Sequence, residues 1–344
     1  MANKYKVCVL GSGAFGTSMA HCAINNPYIG RVQIYARNQA VVESINQEHK
    51  NPKFLSNFTL HPDITATTDL QQALHQANYV LCCIPTQEIH PFVQANKQYI
   101  DTKVPFVSCS KGIILKSGKL ISQMLSEEFD GRLRYACLSG PSFAAELMQN
   151  NPSCVVVASQ DNKTSKLIQL GLSGNFLRIF TQSDVVGVEL AGALKNLVAI
   201  GTGVLEGAGF GINTQTAYVT RSVGEMQRFA RIYGASKHTF YGLAGFGDLM
   251  LTSFGSLSRN RSFGVKVGKG EKVEDILKES KGVVEGWPTL ELVYKQAQEN
   301  NIDMPMTLIL HDFIKRKYSK EQSIKMLMNR AFQDEFEPTF EDLL

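Results

Sequence analysis

The chain has 344 residues, 44% hydrophobic and 19% charged, which is enough apolar material for a full core and points to about two domains. A net charge of +4, carried by scattered basic residues, is too weak for a nucleic-acid-binding surface; the one cluster, Lys315-Arg316-Lys317, reads as a solvated helix face. No run approaches the ~18 apolar residues needed to cross a bilayer, and the start carries no apolar signal core. The seven cysteines show no CxxC or Cys/His metal spacing, so no metal site is expected. They read as buried free thiols of a cytoplasmic protein.

In chain order, residues 6–10 form a short β-prone run leading into glycines, and 32–35 a second. Residues 79–84 are apolar at every position and 105–109 at every position but Ser108, the mark of strands covered on both faces in a parallel sheet. Residues 135–138, 154–158 and 177–180 read as further strands. Residues 12–24, 39–47 and 119–128 carry helical periodicity. Together they predict an α/β architecture, a Rossmann-type doubly wound sheet over 1–183. From Asp184 the strand-like runs stop. Helical patterns at 185–205, 214–233, 288–299 and 319–328 predict an all-helical second domain over 184–344, ending in an acidic, loosely held tail from Gln333.

Gly11, Gly13 and Gly16 form a GxGxxG pattern between the first strand and the first helix, the context a dinucleotide fingerprint requires. Gly11 permits the tight turn, Gly13 lets the backbone approach a pyrophosphate, and Gly16 lets helix pack on strand. The open helix end favours the diphosphate. A ligand-free glycine turn is the competing reading, and the context disfavours it. An NAD-selective site ends its second strand with an acid. Here the strand ends Tyr35-Ala36-Arg37-Asn38, and Arg37 offers a planar cation suited to a 2′-phosphate. NADP is therefore the expected cofactor, with NAD accepted; a solvent-facing arginine is the alternative. Thr86 and Gln87 follow the 79–84 strand and border the same crevice.

Four clusters point to a substrate. Ser108 to Gly112 brings Lys111 to the end of an apolar strand, as a reactive lysine or a surface turn. Ser139 to Ala144 places a fixed Gly-Pro turn with Ser142 after another strand, without the GxSxG elbow of a hydrolase. Gly187, Ala191, Lys195, Ala199 and Gly203 recur every four residues and are expected to share one small-residue face. A lysine confined there loses part of its charge stability and suits acid–base work, with Asn196 beside it; tight helix packing around a snorkelling lysine fits the pattern equally. Gly245 to Asp248, then Ser258, Arg259, Asn260 and Arg261, supply a carboxylate to pair with Lys195 and a guanidinium suited to phosphate.

These segments together, with Gly211 to Thr214 and Val284 to Gly286, closely resemble the bacterial NAD(P)-dependent glycerol-3-phosphate dehydrogenase family from about residue 5 to 332. The resemblance implies reduction of dihydroxyacetone phosphate to sn-glycerol 3-phosphate by hydride transfer to C2, for phospholipid synthesis. It implies Lys195 as proton donor or acceptor. It implies Lys111, Gly140, Ser142, Lys195, Asn196, Asp248, Ser258, Arg259 and Asn260 around the substrate. For the cofactor it implies Ser12, Phe15, Arg37, Lys111, Ala144, Arg259, Val283 and Glu285 beside the three glycines, and it implies a homodimer. The alternatives are another two-domain hydroxyacid dehydrogenase, whose substrate carboxylate an arginine would also bind, and a non-catalytic NADP-binding redox sensor.

Overall fold

The computed structural model describes residues 4–279, 284–330 and Glu335. Its first part runs β1 (Tyr5–Leu10), α1 (Ala14–Ile24), β2 (Ile29–Tyr35), α2 (Gln39–Glu48), β3 (Ile64–Thr67), α3 (Leu70–Leu74), β4 (Tyr79–Cys82), α4 (Thr86–Asn96), β5 (Phe106–Ser108), α5 (Ile121–Glu128), β6 (Tyr135–Ser139), α6 (Ala144–Met148), β7 (Ser153–Ala158), α7 (Asn162–Leu172) and β8 (Leu177–Gln182). The strands form one sheet in the order β3-β2-β1-β4-β5-β6-β7-β8. Alternation sends Val7 and Val9 into one core with residues of α1 and α7, and Cys8 and Leu10 into another with residues of α4 and α5. Both faces are covered, as the continuous apolar strands require.

Two details depart from the sequence reading. The sheet is not parallel throughout, because β7 runs antiparallel to β6. The intervening α6 has five residues and spans about 7 Å, too short to carry the chain back along a strand of about 16 Å. The strand β3 was not anticipated. Ile64-Thr-Ala-Thr67 is short and half polar, and it lies at the sheet edge. Sequence boundaries also shorten: the 79–84 run stops pairing at Cys82, and Pro85 already sits at the N-terminal boundary of α4.

The second part is helical: α8 (Val185–Gly207), α9 (Ile212–Arg231), α10 (Asp248–Phe254), α11 (Arg259–Gly268), α12 (Val273–Glu279), α13 (Gly286–Glu299), α14 (Pro305–Ile314) and α15 (Lys320–Met328). Helix α8 is long and apolar enough to cross a membrane, but 94% of its most apolar stretch is buried inside the protein. It is the axis of the helical core. Gly203 and Gly207 face α11, and Gly264 and Gly268 face back: a methyl group on any of them would stand 2.0–2.2 Å from a carbonyl oxygen of the other helix. Only glycine allows an approach that close.

The small-residue row on α8 does not form one face. A four-residue step overshoots a helical turn by about 40°, so the row spirals. Gly187 meets the cap residue Asp184, while Gly203 meets α11. Val283 and nearly all of the acidic tail lie outside the described residues; of the tail, Glu335 accepts a hydrogen bond at its carbonyl from Arg221 Nη1 at 2.8 Å.

Candidate active site

Gly11 adopts φ +108°, a left-handed conformation that favours glycine. A methyl group on Gly16 would stand 2.0 Å from Gly11 O, so α1 starts pressed against the turn. Around Gly13, by contrast, a methyl group would meet nothing within 4 Å. No side chain caps α1, and its first turn carries no acid. An open helix end above an open glycine is what a dinucleotide diphosphate fits. Ser12 and Phe15 are half-buried on the same turn. Arg37, exposed just past β2, precedes Asn38, whose side chain caps α2 through Ala40 N and Val41 N. The guanidinium makes no ion pair among the described residues.

Sequence reasoning missed what braces this turn. Asn51, 1% exposed, donates to Ser12 O and to Thr17 Oγ1, both at 2.8 Å. It sits in an irregular loop far along the chain, and no local pattern marks it.

Lys111 leaves the carboxyl end of β5 in a loop held by α4. Thr86 Oγ1 donates to Lys111 O at 3.1 Å, and Gln87 bridges Ile113 O and Leu115 N. Thr86 and Gln87 therefore position the lysine loop. Lys111 Nζ donates to Gly140 O at 3.3 Å and to Asp248 Oδ2 at 2.5 Å. Gly140 has φ +137°, and a methyl group there would stand 2.9 Å from Val155 Cα; the turn after β6 is pressed onto β7. Ser142 Oγ donates to Gly140 O at 2.9 Å, and Ala144 opens α6 beside it.

Lys195 projects from α8. Its Nζ donates to Asp248 Oδ1 at 2.6 Å and to Thr252 Oγ1 at 2.7 Å. Thr252, one turn past Asp248, also donates to Asp248 O at 2.7 Å and is a partner the sequence reading did not assign. Asp248 follows a π-helical turn, Leu243–Gly247, closed by Gly247 N donating to Gly242 O at 3.1 Å. Gly245 is needed there because a methyl group would fall 2.3–2.5 Å from the Phe240 backbone. That wider turn explains the glycine-rich run before the carboxylate, and π-turns gather at functional sites.

The electrostatics follow from burial. Desolvation pulls the Lys195 ammonium down to about 8, against the upward pull of Asp248; Lys111 adds to the lowering. Burial alone would raise Asp248, but the two ammonium groups outweigh it and hold the carboxyl below its ordinary value. Burial raises Glu285, opposed by Arg259, Lys195 and Lys111, which all lie within electrostatic reach.

Helix α11 presents its positive end to this group. Ser258 caps it by accepting from Arg261 N at 3.2 Å, so its hydroxyl oxygen is engaged as a cap. Arg259 is exposed and makes no ion pair among the described residues. Asn260 Oδ1 accepts from Gly286 N at 3.0 Å and so fixes the turn carrying Glu285. Arg261 points away and pairs with Glu206 at 2.5 Å. Asn196 is buried beside Lys195, and its carbonyl would lie 2.9 Å from a methyl group on Gly286.

A lysine lowered to about 8, a second ammonium and a guanidinium without an ion pair among the described residues, set on a Rossmann-like sheet with a helical second part, define an oxidoreductase of the dehydrogenase class. The family profile described as NAD-dependent glycerol-3-phosphate dehydrogenase N-terminus matches residues 6–165, and its C-terminus counterpart matches 184–325. The chain belongs to this family, whose members interconvert dihydroxyacetone phosphate and glycerol 3-phosphate with NAD or NADP. It is 38% identical to a glycerol-3-phosphate dehydrogenase [NAD(P)+] of Staphylococcus carnosus, over 96% of this chain and 99% of that one. A chloroplastic glycerol-3-phosphate dehydrogenase [NAD(+)] of Arabidopsis thaliana is 40% identical over 94% of this chain and 77% of that one. The crystal structure of glycerol-3-phosphate dehydrogenase from Coxiella burnetii superposes with a TM-score of 0.87 at 30% identity, covering 95% of this chain and 99% of that one.

Proposed function

We propose that this enzyme reduces dihydroxyacetone phosphate with Lys195 as the proton donor and Lys111 as its electrostatic partner. The observation that carries this reading is one buried carboxylate, Asp248, shared between both ammonium groups. When bound, the reduced nicotinamide supplies the hydride that the chemistry needs. Lys111 and Lys195 supply positive charge where the ketone oxygen becomes an alkoxide. Lys195, lowered to about 8, is poised to give that oxygen its proton near neutral pH and to take it back in the reverse direction. Asn196 orients the hydroxyl.

Arg259, with the N–H groups that open α11 and the amide of Asn260, holds the phosphate. That binding energy positions the ketone for transfer. Gly140, Ser142 and Ser258 shape the pocket wall, and Asp248 orients both lysines. Gly11, Ser12, Gly13, Phe15 and Gly16 seat the diphosphate, and the family resemblance adds Ala144, Val283 and Glu285 as cofactor-binding residues. Arg37 reads the 2′-phosphate, which makes NADP the preferred form. Residues 1–183 serve as the cofactor domain and 184–344 as the substrate domain. With this reading go a homodimer, a cytoplasmic location and the supply of glycerol 3-phosphate to phospholipid synthesis.

The test is loss of reduced-nicotinamide absorbance on adding dihydroxyacetone phosphate to wild type and Lys195→Met. Wild type consumes cofactor only with the phosphorylated ketone. Lys195→Met loses about 10²–10⁴ in kcat while its cofactor Kd stays put. Undiminished turnover in the variant would remove Lys195 from the chemistry.

A further inference from the structure

Alternate residues of a strand point to one side, and on β6 three of them meet α8. Tyr135 Oη donates to Glu189 Oε1 at 2.6 Å. Cys137 Sγ lies 3.8 Å from Val185 O. A methyl group on Gly192 would stand 3.2 Å from both Ser139 Oγ and Lys111 Cγ. The first part of α8 is thus laid across the carboxyl half of the sheet, with Gly192 giving passage to the Lys111 side chain.

Glu189 differs from everything around it. It is a buried carboxylate inside an apolar helix, and no lysine or arginine pairs with it among the described residues. Besides Tyr135, it accepts a hydrogen bond from Ser122 N at 3.0 Å and a short one from the Ser122 hydroxyl. Ser122 lies in the first turn of α5, where the helix end favours negative charge. Burial pushes the Glu189 carboxyl up, and the bonds from Ser122 and Tyr135 oppose it.

The hydrophobic effect is non-directional, so apolar burial specifies the rotation and axial position of α8 on the sheet less sharply than hydrogen bonds do. A buried carboxylate is costly unless its bonds are met. Glu189 meets them on two different elements of the Rossmann side, so it gains them in one register only. Less than two helical turns later on the same rigid helix, Lys195 must reach Asp248 and Thr252.

We infer that Glu189 is a positioning residue that locks α8 to β6 and α5 and thereby sets Lys195 against the Lys111 and cofactor side of the cleft. This rests on the reading of Lys195 as the proton donor. Without the lock, the first part of α8 loses its hydrogen-bonded register on β6 and α5, and the Lys195 ammonium shifts against Lys111 and loses its close hold on Asp248.

The experiment compares wild type, Glu189→Ala, Glu189→Gln and Tyr135→Phe in kcat, in cofactor Kd by nicotinamide fluorescence, and in the pH profile of ketone reduction. Glu189→Ala lowers kcat at least tenfold, leaves cofactor Kd within about twofold, and shifts the basic limb of the profile. Glu189→Gln, which can still accept from Tyr135 and Ser122, recovers most of kcat. Tyr135→Phe lowers kcat three- to tenfold at unchanged Kd, and it serves alone if Glu189→Ala does not fold. Unchanged kcat in both Glu189→Ala and Tyr135→Phe, a Gln variant as poor as Ala, or equal losses in kcat and cofactor binding would each overturn the proposal. The kcat–Kd split and the Gln rescue report the register of α8 whichever group titrates. A wild-type profile without a basic limb would therefore count against Lys195 alone.

Discussion

Lys111 and Lys195, one from the loop after β5 and the other from the middle of α8, share the two oxygens of the Asp248 carboxylate at 2.5 and 2.6 Å. One negative charge is divided between two cations. That leaves net positive charge where the proposed mechanism puts the ketone oxygen as it takes up electrons, and burial keeps the more deeply buried lysine easy to deprotonate.

The pH dependence should therefore run in opposite senses for the two directions. Reduction needs the proton on Lys195, so kcat/KM for dihydroxyacetone phosphate falls as pH rises through about 8. Oxidation of glycerol 3-phosphate needs the neutral amine, so its rate climbs to about pH 8 and then levels. Initial rates in both directions check this; two profiles of the same shape would mean that another group carries the proton.

Replacing Asp248→Asn removes the group that raises Lys195 and leaves Lys111 to lower it. The break in the reduction profile moves to lower pH, and kcat drops about 10²-fold. An unmoved break would show that Asp248 positions the lysines without tuning them.

Arg37→Asp puts an acid where an NAD-selective site has one. A lost charged hydrogen bond weighs about 1.5–3 kcal/mol, so KM for NADPH rises by about 10- to 100-fold while that for NADH stays within a few-fold. Equal changes for both would exclude Arg37 as the reader of the 2′-phosphate.

Glu225 governs stability rather than chemistry. From α9 it caps α14, accepting from Met306 N at 2.5 Å, Thr307 N at 3.0 Å and Thr307 Oγ1 at 2.7 Å. Burial pushes its carboxyl up from 4.5 to about 7, so the folded state holds the proton more tightly than the unfolded state. Stability from this group is full below about 4.5 and declines as pH rises through about 7. Tm should fall between those values in wild type and stay flatter in Glu225→Gln. Equal slopes would sink this account.

The sequence by itself determined the fold class and the class of reaction, because both are written in local patterns. Strands apolar at nearly every position require cover on both faces, and a GxGxxG turn between strand and helix has few other uses. Lys111, Lys195, Asp248 and Arg259 stand out as charges in apolar or glycine-rich surroundings. What it left open was partnership across distance. That Asp248 serves both lysines, that Asn51 braces the diphosphate turn, that Ser258 caps α11 and that Arg261 pairs with Glu206 all depend on residues brought together by packing. The same limit explains the small-residue row on α8, which spacing alone placed on one face although each four-residue step drifts around the axis. The antiparallel β7 likewise followed from the short reach of α6, and the register of α8 from a carboxylate buried against Tyr135 and Ser122. Local pattern fixes what each segment can become, while hydrogen-bond partners and crossing geometry exist only once distant segments share a core.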